Sequence, residues 1–130
     1  MGIDSKDFER SLKEWGDNVQ GALIRAMEKS VADLERESKA LAPYDTGELE
    51  GSVQTDVQPK GSRVQGSVEF DVPYAARQNF DLSLRPGPGT QAKAPTKYGT
   101  PGPNYLTNPH RGLGDDGTYQ KHIEGEVNRL

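Results

Sequence analysis

The chain contains no cysteine. That absence removes disulfide bridges, thiolate nucleophiles and every zinc site built on cysteine, and it fits a reducing cytosol. Apolar residues are also scarce, at 32% of 130 residues, with aromatics at 7%. The core must therefore be thin, and part of the surface is left for partners to cover. No stretch approaches the roughly 20 consecutive apolar residues that span a bilayer. The opening residues Met1 to Lys6 lack the apolar centre of a secretory signal, and Lys6 stands where a myristoylation motif needs Ser or Thr. These features predict a soluble protein with no membrane partner and no N-terminal export signal. A basic stripe is missing too: 16 Lys and Arg are scattered among 20 Asp and Glu, for a net charge of −4. A general nucleic-acid binder, which must neutralise a row of phosphates, is excluded on that ground.

Turn residues are plentiful: 15 Gly and nine Pro. With a mean hydropathy of −0.86, they favour one small domain over 1–130, stabilised in an oligomer. Within it the first third reads as a helix, over 1–42. Phe8, Leu12, Trp15, Val19, Leu23, Met27, Val31, Leu34 and Leu41 recur at helical spacing and form one apolar stripe, which places Trp15 in the core. Asp4 or Ser5 can cap the start, and Pro43 disfavours helical geometry at Ala42. Gly16 and Gly21 each cost about 1 kcal/mol relative to Ala and are expected to divide the segment in two.

Residues 43–80 read as a turn followed by a β-hairpin. Val53, Thr55 and Val57 alternate with polar residues, Gln58 to Ser62 supply a turn, and Val64, Gly66, Val68, Phe70 and Val72 alternate again. One face of the hairpin is expected on the long helix, with a short helical turn over 74–80. From 81 to 114 the chain is rich in Pro and Gly and has no period, which marks an extended arm. Over 115–130, Tyr119, Ile123, Val127 and Leu130 share a helical face that Asp115, Asp116 or Thr118 can cap. The predicted fold class is α+β: a long N-terminal helix packed on a small antiparallel sheet, an extended Pro/Gly-rich arm and a C-terminal helix.

No motif here has the makings of a catalytic, cofactor or metal site. Asp45-Thr46-Gly47 is the tripeptide of aspartic proteases, in which two aspartates share a proton. Here it follows a charged helix and Pro43 rather than a buried strand, and Glu48 comes next. A turn in which Asp45 or Thr46 caps the backbone and Gly47 takes positive φ accounts for it better. Gly87 to Lys93 lacks the spacing of a phosphate loop. His110 and His122 have no zinc-ligand spacing, and no serine stands in a nucleophile elbow. Tyr98, Tyr105 and Leu106 are apolar residues on an arm without a core of its own. Such residues dock on a partner or fold back on the same subunit, and here they are expected at inter-subunit contacts.

With those residues in hand, the chain resembles the minor tail-component (neck) family of long-tailed bacteriophages, the HK-type gene-product-ten kind. Pro43, Asp45, Thr46, Gly47, Leu49 and Ser52, preceded by Ala42, match the family's signature at the end of the long helix. Tyr74 and Ala75 match its Tyr-Ala motif, and Asn104-Tyr105-Leu106 after Pro103 looks like its third element. Asn79-Phe80-Asp81 departs from the aromatic-Gly-Thr that many members carry, and the Pro/Gly loop is long. The resemblance implies a structural virion protein at the head–tail junction, assembled in the host cytoplasm. It would form a hexameric or dodecameric ring as a neck, tail-completion or tail-terminator part, beside portal-connector and tail-tube proteins. An acidic ring would let DNA slide through without sequence-specific binding. A minor capsid protein on the portal or shell is the alternative, and an aspartic-protease-like enzyme using Asp45 is the rival from another class. Deleting Tyr98 to Leu106 is expected to leave a folded subunit that cannot join heads to tails.

Overall fold

The structure is a computed structural model and describes residues 5–130; Asp4, one of the two expected caps, lies outside them. The fold is α+β, with a long N-terminal helix, a two-stranded antiparallel sheet and a C-terminal helix. Helix α1, Ser5–Leu41, is continuous over 37 residues, so Gly16 and Gly21 do not divide it. Nothing packs within 4 Å of where a Gly16 side chain would stand, and two isolated penalties of about 1 kcal/mol do not outweigh a long cooperative run.

A helix of this length extends about 55 Å, and the sheet cannot match it. Strands β1, Val53–Lys60, and β2, Arg63–Phe70, each span about 26 Å. Only the second half of α1 is therefore covered: Ala22, Ala26, Val31 and Leu41 are buried, whereas Phe8, Leu12 and Trp15 are 54%, 53% and 65% exposed. The expectation that Trp15 packs in the core is corrected. It belongs to the stripe but lies beyond the body that buries it.

The strands pair from Val53↔Phe70 to Lys60↔Arg63, and the turn is tighter than Gln58 to Ser62, reduced to Gly61 at φ 62 and Ser62. Pro59 is tolerated in β1 because a two-stranded sheet has only edges. Alternation places Val53, Val57, Val64, Val68 and Phe70 on the partly or fully buried side, and α1 packs on both strands. Gly66 marks the closest approach. A Cβ there would lie 2.6 Å from Met27 Sδ and 2.7 Å from Val31 Cγ2, so a missing side chain lets the helix settle on the sheet.

Short helices connect the rest: α2, Glu48–Gly51; α3, Ala75–Phe80; α4, Pro88–Gln91; α5, Thr107–Asp115; and α6, Thr118–Val127. The segment 81–114 is thus not an extended arm. It holds α4 and most of α5 and is bonded back onto the body. The closing helix starts at Thr118, after Gly117 at φ 80, and Asp116 Oδ1 accepts from Thr118 N (2.9 Å) and Oγ1 (2.6 Å). The core gathers Leu41, Ala42, Leu49, Phe70, Ala75 and Tyr105, one residue or two from each of several segments.

Ionic contacts clip α6 to α1. Glu126, 1% exposed, accepts from Lys29 Nζ at 2.6 Å and Arg25 Nε at 2.9 Å, and His122 Nε2 lies 2.6 Å from Asp33 Oδ2. The bonds from Lys29 and Arg25 hold the Glu126 carboxyl down at about 2, against the opposing effect of burial. A depressed folded pKa contributes stability that is complete above the unfolded value, near 4.5, and fades as pH falls towards 2. Melting curves across that window should show a fall in Tm that Glu126→Gln removes. An equal fall in the variant would assign the acid sensitivity to other carboxylates.

Candidate functional site: the signature groove

Residues 42–52 form the join between helix and sheet. Pro43 ends α1, leaving carbonyls without helical partners. Lys93 Nζ fills that need by donating to Lys39 O (2.9 Å) and Ala42 O (2.7 Å) while also pairing with the Glu50 carboxylate. A cation at a helix C-terminus also meets the negative end of its dipole. Gly47 turns the chain at φ 84, a left-handed value that favours glycine. Thr46 Oγ1 accepts a long bond from Glu48 N, 3.4 Å. Leu49 is buried in the core, and Ser52 Oγ donates to Leu49 O at 2.7 Å, closing α2. Every one of these signature residues stops, turns or anchors the backbone. Asp45 differs: it is exposed, and its charge acts on Tyr74.

The second motif comes to the same place. Tyr74 stands beside Glu48 and Asp45: partial burial first, then the nearby Glu48 carboxylate and the charge of Asp45, push its pKa upward. Ala75 is buried, and its carbonyl accepts from Tyr105 Oη at 3.1 Å. The structure therefore unites two motifs that the sequence separates by more than twenty residues. Pro43 to Leu49 and Tyr74 line one groove of about 490 Å³, whose far wall is Leu84 to Thr90. That wall is held by Thr90 Oγ1, which accepts from Tyr44 N at 2.8 Å. Gly89 lies so close that a Cβ would come within 2.5 Å of Tyr44 O.

No family model, curated protein or solved structure matches this chain. The likeness to phage neck proteins thus rests on the sequence motifs alone.

The three residues expected at inter-subunit contacts are engaged inside the subunit. Tyr105 is 1% exposed and packs edge-on against Phe70, with ring centroids 5.0 Å apart. The expectation of a partner contact is corrected for this residue, because it has no surface left to offer. Tyr98 is partly buried over Gly112, where a Cβ would stand 2.2 Å from its ring, and its hydroxyl donates to Asp116 Oδ2 at 2.6 Å. Leu106 is partly buried against the core. Removing Tyr98 to Leu106 would therefore take out part of the core, so a folded deletion variant is not expected.

His110 Nδ1 lies 3.1 Å from Tyr119 Oη, and Asp116 is engaged by Thr118, Tyr98 and Lys97. Among the described residues, no group of three or more His, Cys, Asp or Glu could hold a metal ion, and no helix is long and apolar enough to cross a membrane. The exposed apolar residues lie elsewhere than expected. Phe80 and Leu82 are each 70% exposed at the end of α3, and Phe8, Leu12 and Trp15 stand on the uncovered turns of α1. The second group had a legible signal, since eight-residue strands cannot cover so long a helix.

Proposed function

We propose that this protein is a structural subunit of a tailed-phage virion, placed at the head–tail junction as part of a neck, tail-completion or tail-terminator ring. The observation that carries the reading is the joint groove. The residues matching the neck-family motifs in two separate stretches meet around one cleft, and nearly all of them shape backbone. A site built for architecture suits an assembly protein. Two further features support it. Apolar residues are exposed at the start of α1, around the end of α3 and on α6, separate surfaces such as a ring subunit with a neighbour on either side requires. The net charge of −4 suits a channel through which DNA moves without sticking.

The test is in vitro complementation. Phage made without this protein should accumulate DNA-filled heads and free tails, and adding the purified protein should join them into infectious particles. Normal tailed particles in its absence would contradict the proposal.

A further inference from the structure

We propose that the first turns of α1 are a docking arm for a second copy of this chain. In this contact Phe8, Leu12 and Trp15 of one subunit seat in an apolar groove on the body of the next. The proposal rests on the ring reading above and names the contact that would build it.

The arm has no place to go within its own subunit. Residues 5–18 continue the helix roughly 20 Å past the turns that the hairpin covers, and their stripe is more than half exposed at all three positions. A rigid helix cannot fold back onto its own second half. Apolar side chains held out in this way are a surface awaiting a partner.

The receiving surface lies on the body. A groove of about 560 Å³ runs between α1, the hairpin and the C-terminal helices, lined by Leu23, Met27, Val31, Val68, Tyr119 and Ile123. Ile123 on its rim is 44% exposed. Such a concave apolar channel is what a helix presenting residues at i, i+4 and i+7 fits.

Charge favours the same match. None of the described residues lining the groove is acidic, whereas Arg63 and His110 are among them. At helical spacing the charged residues nearest the stripe are Asp7 on one side and Glu9 on the other, with Lys6, Arg10, Lys13 and Glu14 turned farther round; Asp7 also pairs with Arg10 at 3.8 Å. An arm flanked by Asp7 and Glu9 thus meets a groove whose described lining carries the cation Arg63 and no acidic residue.

Area decides the form of the assembly. The three side chains expose roughly 300 Å² between them, below the about 800 Å² per partner of a stable pairwise interface. One contact alone is weak. Stripe and groove are different surfaces, so the contact is head-to-tail and can close into a ring. In a closed ring each subunit gives one arm and receives one, and avidity supplies the missing stability.

The test is analytical ultracentrifugation of the full chain at high protein concentration, using wild type, Trp15→Glu, Ile123→Glu and an equimolar mixture of the two variants. Wild type should associate with increasing concentration. Each variant alone should stay monomeric with unchanged far-UV circular dichroism, since both residues are exposed; Phe8→Glu repeats the stripe test at a second position. The mixture should form a weak one-to-one pair, because the intact stripe of Ile123→Glu meets the intact groove of Trp15→Glu. A wild type that remains monomeric overturns the proposal, as does a mixture that does not pair. Undiminished assembly of Trp15→Glu also overturns it, but leaves the ring reading standing on another surface; the joining experiment judges that reading separately.

Discussion

Tyr105→Ala should destabilise the subunit by about 3–5 kcal/mol, a large fraction of the stability of a small domain. The side chain is 1% exposed and the largest of the fully buried ones. Its ring stands at 88° to Phe70, an edge-to-face geometry that adds to simple burial. Its hydroxyl ties residue 105 to the carbonyl of Ala75, and burial pushes the phenol up to about 12. Tyr105→Phe separates these contributions. It keeps the ring and leaves one carbonyl without its donor, at a cost of about 1–2 kcal/mol. Urea unfolding of both variants measures the difference. A loss below about 1 kcal/mol for alanine would mean that the Pro/Gly-rich segment is not part of the core.

Asn79→Ala should cost roughly 2–3 kcal/mol, although no apolar packing is at stake. Asn79 is 3% exposed, and its Oδ1 accepts from Leu106 N at 3.0 Å and Thr107 N at 3.3 Å. Those are backbone donors at the start of α5, which a helix leaves unsatisfied. The end of α3 therefore caps α5 from 27 residues away. The amide also donates to Thr107 Oγ1 at 2.8 Å, and Asn79 O accepts from Asn104 N at 2.8 Å. Asn104 itself sits at φ 66, a conformation that asparagine tolerates. Alanine strips the side-chain partners while keeping the backbone one. Asn79→Asp should lose less, since a carboxylate still accepts both N–H groups and suits a helix N-terminus. Faster amide exchange at Leu106 and Thr107 in the alanine variant would locate the effect. Stability within about 0.5 kcal/mol of wild type would show that α5 does not depend on this cap.

What the sequence revealed followed from local periodicity. The stripe through Val31 and Leu41 located α1, Pro43 ended it, and alternation from Val53 to Phe70 gave the hairpin and its buried face. Such patterns report an element and its polarity, not how far a partner covers it, so Trp15 belongs to a real stripe and yet stands in solvent. The segment after Phe80 has no period, and what folds it is long-range: Lys93 on the end of α1, Thr90 on Tyr44, Tyr105 on Phe70. These contacts join residues tens of positions apart, through side chains that look like ordinary loop composition. The signature was legible as a turn, from Thr46 and Gly47. Its meeting with Tyr74 was not, because that depends on the path of the returning segment.

The central claim is a place in the particle, so the most direct measurement is gold-labelled antibody against this protein on purified virions, viewed by electron microscopy. The account predicts one cluster of label where head meets tail. Label spread over the shell would instead make this a capsid protein, and particles without label, given an accessible epitope, would contradict a virion role.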